Sequence, residues 1–371
     1  RLRTFLTVCG ICVAILAFGL LRTVVSAWYA GVDASSATRL VTRNSISLIF
    51  PLPLSYKEKI RGVEGVKLVS FGNWFGGIYK EEKNFFANFA VETKSYLDMY
   101  PEFVISEDQK QALFKERKGC VVGRKLAKRF GWKIGDSIVL RGTIFPGNWE
   151  FVLKAIYRGR DKTIDENQFF FQWDYLNEKM KRVQPRRADQ VGFYMVEMVS
   201  PHIAAETSET IDKLFKNSFA ETLTETEKSF QMGFISLSQT ILTVIELVSM
   251  IIIVIIMAVT ANTMAMSVRE RMNEYAVFKT LGFGGGYLAF LILGESMVIT
   301  ALGCGMGVLF TYPAADAFSR AVGEFFPIFN IARETIYLDI AASVVIGTVA
   351  AIFPIWRAVT VPIASGLGRI G

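Results

Sequence analysis

Four places in this sequence carry side chains whose type and spacing could do chemistry. Cys9-x-x-Cys12 has the spacing of a thiol redox pair. It lies in an apolar run without alternating strand and helix signals, so small-residue filling of a helix is the reading it supports. His202 follows Pro201. One histidine without a Cys or His cluster does not make a zinc site, which leaves a helix-start or surface role. Gly119-Cys-Val-Val-Gly123-Arg-Lys125 has glycines before a lysine, but not the G-x-x-x-x-G-K-[ST] spacing or a hydroxyl after the lysine. It is not a phosphate loop. Glu246 and Glu295 stand inside otherwise apolar runs. A carboxylate in hydrocarbon costs at least about 2–3 kcal/mol, so such residues face a protein interior or lie near the interface. A proton relay through them would need further His, Lys or Asp partners, and the runs are read as offering none. No catalytic residue, metal ligand or cofactor site is expected in the chain.

The elements that must position these residues follow from composition. The chain has 371 residues, 51% of them hydrophobic, with 30 Phe and a mean hydropathy of +0.34. The apolar excess falls in four blocks, roughly 4–28, 234–262, 287–313 and 336–356. Each is long enough to cross a bilayer core of about 30 Å. The stretch 30–233 has ordinary globular composition, holds most of the charged residues and is large enough for a core of its own. The net charge of +7 does not indicate a nucleic-acid partner, because bases and acids are interleaved as on a solvated surface. The block at 4–28 is read as a retained anchor and not as a cleaved signal. Cys120 is the one cysteine of the large stretch, so no disulfide is expected there.

Four spans put both termini on one side. If that side is the cytoplasm, its short segments carry Arg1, Arg3, Arg269, Arg271, Lys279, Arg357 and Arg369 against Glu270 and Glu274. The opposite loop, about 314–334, carries Arg320 and Arg333 against Asp316, Glu324 and Glu334. Short-loop Lys/Arg excess sets orientation, so the termini are expected in the cytoplasm and the large domain outside. Trp28, Tyr29 and Trp356 fall where interfacial aromatics are expected.

Helix and strand signals alternate in the large domain. Helices are expected at 54–62, 106–118, 122–131 and 201–217, and strands at 66–71, 84–91, 134–140, 149–157, 191–199 and 219–225. A hairpin is expected around Pro146-Gly147-Asn148. A duplicated strand–helix–strand unit with an insertion at about 100–190 is one reading of this order.

The most informative segment is 267–283, which joins the second and third spans. Met272, Tyr275, Val277, Phe278 and Leu281 are spaced as one apolar helix face, with Arg269, Glu270, Arg271, Glu274 and Lys279 as the polar part. Periodicity leaves two readings open: an interfacial helix that fixes topology, or a docking helix for a soluble partner. Gly284, Gly285 and Gly286 then form either a tight turn or a hinge. Gly303-x-x-x-Gly307 permits close helix packing, within one protomer or across a dimer.

The segment resembles the coupling region of the MacB/FtsX-type ABC transporter permeases, approximately R-E-R-x-x-E-I-G-x-L-R-A-L-G. Arg269, Glu270, Arg271, Glu274, Leu281 and Gly282 match it, while Tyr275, Ala276 and Lys279 depart. Arg3-Thr-Phe-Leu-Thr7-x-x-Gly10-Ile11 is similar to the family's opening. Glu295 with Gly303, Gly305 and Gly307 is similar to its third span, Pro354-x-x-x-Ala358-x-x-x-Pro362 to its exit, and Gly135-Asp136-x-Ile138 to a turn of its outer domains.

The resemblance implies a membrane α-helical fold of four transmembrane helices plus an α+β extracytoplasmic domain of MacB type. The expected layout is 1–29 first span, 30–233 periplasmic domain, 234–262 second span and 263–286 coupling helix and hinge. There follow 287–313 third span, 314–335 short loop, 336–358 fourth span and 359–371 cytoplasmic tail. It implies an ATPase-coupling surface at Arg269, Glu270, Arg271, Glu274, Tyr275, Phe278, Lys279, Leu281 and Gly282. It also implies a bacterial inner-membrane permease subunit that is not itself an enzyme. ATP and Mg are then bound by a cytoplasmic ABC ATPase subunit, and a second permease protomer completes a homodimer in the bilayer. An adaptor and an outer-membrane channel are further partners the family uses. The movement would serve export or extraction of substrate by mechanotransmission; the alternative is an FtsX-like signalling device that activates a cell-wall hydrolase.

Overall fold

The computed structural model describes residues 2–161, 163–322 and 329–360. The first helix, α1 (Leu2–Ala34), belongs to two units. Residues 29–237 form one compact unit, and the described parts of 1–28, 238–323 and 329–371 form the other.

The unit at 29–237 is a mixed α/β domain. Its strands are β1 (Arg39–Asn44), β2 (Leu52–Pro53), β3 (Val66–Trp74), β4 (Gly77–Ile78), β5 (Asn88–Val91), β6 (Phe103–Val104) and β7 (Gly119–Gly123). They continue with β8 (Ser137–Gly142), β9 (Gly147–Gly159), β10 (Phe169–Gln172), β11 (Gln190–Val191), β12 (Phe193–Met198) and β13 (Thr222–Thr226). Its helices are α2 (Tyr56–Arg61), α3 (Thr93–Met99), α4 (Glu107–Lys115), α5 (Arg124–Phe130), α6 (Trp173–Val183), α7 (Ala204–Leu214) and α8 (Glu227–Leu237). One sheet runs β13-β1-β12-β3-β5-β10-β7-β9-β8-β4, with β6 on β9; β11 and β2 pair separately. The first four positions interleave two strand–helix–strand units, β1–α2–β3 and β12–α7–β13, in antiparallel pairs. The segment between β3 and β12 extends the same sheet.

Strand alternation buries both faces. On β10, Phe169 and Phe171 enter one core with Ile60, Leu126, Trp173 and Ile211, while Phe170 enters the other with Tyr96, Leu97 and Leu113. On β9, Phe151 and Leu153 face the first core but Ala155 and Tyr157 the second. A register shift explains this: Cys120 opposes Leu153 and Val121 opposes Ala155, leaving Lys154 as the extra residue. Such a bulge turns the following side chains to the other face.

The phosphate-loop-like stretch is strand β7, with α5 starting at Arg124. Its glycines serve close approach. A Cβ at Gly119 would lie 2.7 Å from the Glu116 carbonyl oxygen, and one at Gly123 2.0 Å from that of Glu166. His202 sits in a short 3-10 turn, its N–H donating to Ser200 Oγ at 3.4 Å.

A buried network gathers where the domain's two terminal connections meet. Arg39, 5% exposed, donates to Glu227 and pairs with Glu102, both at 2.7 Å, and donates to the Met99 carbonyl at 3.2 Å. Its guanidinium lies 4.1 Å from the Tyr100 ring centre, and Tyr100 donates to Glu227 at 2.9 Å. Burial alone would pull the Arg39 pKa down; Tyr100, Glu227 and Glu102 outweigh it and hold it above its ordinary value.

The membrane unit adds α9 (Gln239–Glu270), α10 (Met272–Thr280), α11 (Gly285–Val322) and α12 (Arg333–Thr360) to α1. Four helices are long and apolar enough to cross a membrane: Leu2–Val32, Gln239–Glu270, Gly285–Ser319 and Arg333–Thr360. The second span starts later than residue 234, because α8 ends at Leu237 and Ser238 breaks the path. The third continues through the first residues of the expected 314–335 loop. Pro362, Arg369, Glu324 and nearly all of the tail 359–371 lie outside the described residues.

Candidate functional site

The segment 267–283 is not one helix. α9 continues to Glu270, Arg271 has non-helical dihedrals, and α10 is a separate helix of nine residues. Arg269 and Glu270 therefore end the second span instead of opening a surface helix. The chain reverses at Leu281–Gly284, where Gly282 has φ +92 and Phe283 N–H returns to the Phe278 carbonyl at 3.0 Å. The expected hinge at Gly284, Gly285 and Gly286 shifts accordingly: Gly285 and Gly286 open α11, and only Gly284 remains in the turn. Gly285 is also a contact point, since a Cβ there would lie 2.9 Å from Val359 Cγ1.

The apolar residues of α10 divide. Tyr275 is buried at 2% exposure and Ala276 at 4%, and Met272 and Phe278 pack on the same cluster as Val268, Leu288 and Ala358. Val277 and Leu281, one turn apart, stay exposed, as do Glu274 and Phe283. α10 thus seals its own bundle with one side and leaves Glu274, Val277 and Leu281 on the other.

Polar links hold α10 in place. Arg271 pairs with Glu295 of α11 at 3.1 Å, and Ser267 Oγ donates to the same carboxylate at 3.5 Å. Glu295 raises the Arg271 pKa, and burial raises that of the Tyr275 phenol. Lys279 donates to the Val359 carbonyl of α12 at 2.9 Å. Arg3 of α1 pairs with Glu270. Helix α10 is therefore tied to α11 and α12 through separate residues, and the adjoining end of α9 to α1.

Glu246 pairs with Arg22 of α1 at 3.3 Å. Gly303 and Gly307 lie against α1 within this chain. A Cβ at Gly303 would come 2.6 Å from Ile11 Cγ2, and one at Gly307 2.8 Å from Ile15 Cβ and 2.9 Å from the Cys12 carbonyl oxygen. α11 and α12 share a second seam, where Ser296 donates to the Gly347 carbonyl at 2.7 Å and Ser343 to that of Thr300 at 3.1 Å.

The spans hold ionisable residues that the sequence reading passed over. Arg22 is one. Asp339 of α12 is the other, 1% exposed, with Oδ1 buried and without a hydrogen-bond partner among the described residues. Both stand in apolar runs with the same signal that marked Glu246 and Glu295. No group of three or more metal-ligating side chains forms among the described residues.

Residues 246–363 match the family described as FtsX-like permease C-terminal, a stretch that takes in most of α9 and includes the whole turn just described. That match agrees with the resemblance read from 267–283. No curated protein matches the chain. Among solved structures, the chain is similar to the periplasmic region of MacB from Actinobacillus actinomycetemcomitans. That match has 8% identity and a TM-score of 0.39 and covers 55% of this chain and 95% of that one. It is also similar to the extracellular domain of the noncanonic ABC-type transporter YknZ from Gram-positive bacteria. There the identity is 10% and the TM-score 0.38, over 51% of this chain and 100% of that one.

Proposed function

We propose that this chain is the permease subunit of an ABC transporter in a bacterial inner membrane, with both termini in the cytoplasm and residues 29–237 in the periplasm. A separate cytoplasmic ATPase docks on α10 and binds ATP and Mg. The permease works as a dimer, and the stroke passes through the spans to the outer domain, which exports or extracts substrate outside the bilayer with an adaptor and outer-membrane channel.

The observation that carries this reading is the split surface of α10. Its inner side is locked to α11 and α12 by Arg271–Glu295 and Lys279–Val359, so a push on it moves those helices. Its outer side presents Glu274, Val277 and Leu281, an acid beside two apolar residues at helical spacing. An amphipathic ridge of this kind suits a groove on a soluble partner.

The experiment is co-purification with a candidate ABC ATPase subunit from the same organism. Glu274→Lys with Leu281→Asp should abolish ATPase retention and its stimulation by the permease, while the spans still insert. Full retention and stimulation by that double variant would sink the docking assignment.

A further inference from the structure

Asp339 is buried where three helices pack closely. On α1, Gly19 leaves the space: a Cβ there would lie 3.2 Å from Asp339 Oδ2 and 3.4 Å from Thr311 Oγ1 of α11. Thr311 donates its own proton to the Gly307 carbonyl at 2.8 Å, which leaves its oxygen free to accept. Thr23 of α1 is spent in the same way on the Gly19 carbonyl at 2.7 Å. Cys304 of α11 lies 3.6 Å from the Asp339 backbone oxygen, and Thr335 and Ser343 flank Asp339 one turn away on α12, both buried.

The charged groups on these elements are committed elsewhere or exposed. Arg22 of α1 is paired with Glu246 of α9. Asp316 of α11 and Arg333 and Glu334 of α12 are exposed. Glu295 of α11 is held by Arg271. Asp339 enters no ion pair among the described residues, and its Oδ1 is buried without a hydrogen-bond donor.

An ionised carboxylate in hydrocarbon, without a cation or donors, is costly; a carboxylic acid with an acceptor nearby is not. We propose that Asp339 is a proton-binding site built into the helix bundle. The acid form donates toward the Gly19 gap, where the Thr311 oxygen accepts. Loss of the proton puts an uncompensated charge at the seam of α1, α11 and α12 and loosens their packing. The bundle would then sense the pH at the end where α11 finishes and α12 begins. This holds whether or not an ATPase docks on α10, so its failure and that of the permease reading are separable.

The test uses the full chain in phosphatidylethanolamine–phosphatidylglycerol vesicles with dicyclohexylcarbodiimide. This reagent adds to a protonated carboxyl, the acid oxygen joining the carbodiimide carbon while the proton passes to its nitrogen. Mass spectrometry should find the adduct on Asp339 at neutral pH, roughly tenfold above the ion-paired Glu246 and Glu295, declining as pH rises. Sodium in place of choline should not protect it; protection would make the site a cation site and overturn the proposal. The second measurement is melting against pH. Wild type should lose about 5 °C between about pH 6 and pH 9, while Asp339→Asn, the shape of the neutral acid, stays flat. Absence of an adduct at any pH together with parallel declines for both proteins would also overturn it.

Discussion

Arg39 and Asp339 are buried to the same degree, 5% and 1% exposed, and the two units treat them in opposite ways. The outer domain surrounds Arg39 with two carboxylates, a carbonyl and an aromatic face. The helix bundle gives the Asp339 carboxyl a glycine gap and hydroxyls whose protons are already used. A buried charge persists where the fold supplies counter-charge at close range; where it does not, the group must shed its charge. The outer domain is therefore built to stay charged and rigid at this point, and the bundle to respond.

The sharpest way to break this comparison is Arg39→Ala. It leaves Glu102 and Glu227 buried without their cation and should cost about 3–5 kcal/mol. The outer domain's melting transition should fall by roughly 10 °C, and adding Glu102→Gln and Glu227→Gln should recover part of that. No change in melting would show the network to be ornamental.

Asp165 tests the other half of the comparison inside the outer domain. Burial pushes its carboxyl from 3.8 up to about 6, against the pull of the Asn167 N–H and Lys125. The folded state therefore holds a proton that the unfolded chain has released. Stability is full below about pH 4 and falls by about 2 kcal/mol as pH rises to about 6. Asp165→Asn should flatten that slope; a slope of the same size in the variant would assign it to other groups.

The bundle's own tightness comes next. Gly307→Leu drives a side chain into Ile15 and the Cys12 carbonyl and should cost about 1–3 kcal/mol. Gly305→Leu is the matched control, since a Cβ there meets nothing within 4 Å. Equal melting of the two variants in detergent would remove α1 from the α11 seam. The smallest effect on stability is expected from Glu295→Gln, because the Arg271 pair is partly exposed and worth under about 1 kcal/mol. Its effect should appear in ATPase stimulation, which would drop several-fold while melting barely moves.

Much of this architecture was legible in the sequence. Four apolar runs give four spans because length and composition alone decide that property. The β8–β9 hairpin followed from Pro146-Gly147-Asn148 between strand-like runs. Strand β7 was harder: five residues bounded by glycines carry no periodicity, and their strand state comes from pairing with β9 and β10. At the turn, spacing placed Met272, Tyr275, Val277, Phe278 and Leu281 on one face. On a regular helix Val277 and Leu281 fall across from Met272 and Ala276, and Val277 and Leu281 are the ones left exposed. Asp339 and Arg22 were visible as charges in apolar runs, but their surroundings depend on helices far away in the sequence.

The position of β1 sets a timetable for making the protein. β1 lies between β12 and β13, so Arg39–Asn44 finds its neighbours only when residues 193–226 exist. At roughly 5–20 residues per second, that strand waits on the order of ten seconds or more after leaving the ribosome. Helix α1 waits longer, since Ile11 and Ile15 meet Gly303 and Gly307 only after the third span is inserted. For most of synthesis the first span must stand alone in the bilayer, and its outer domain must stay open and unaggregated until the last strand arrives.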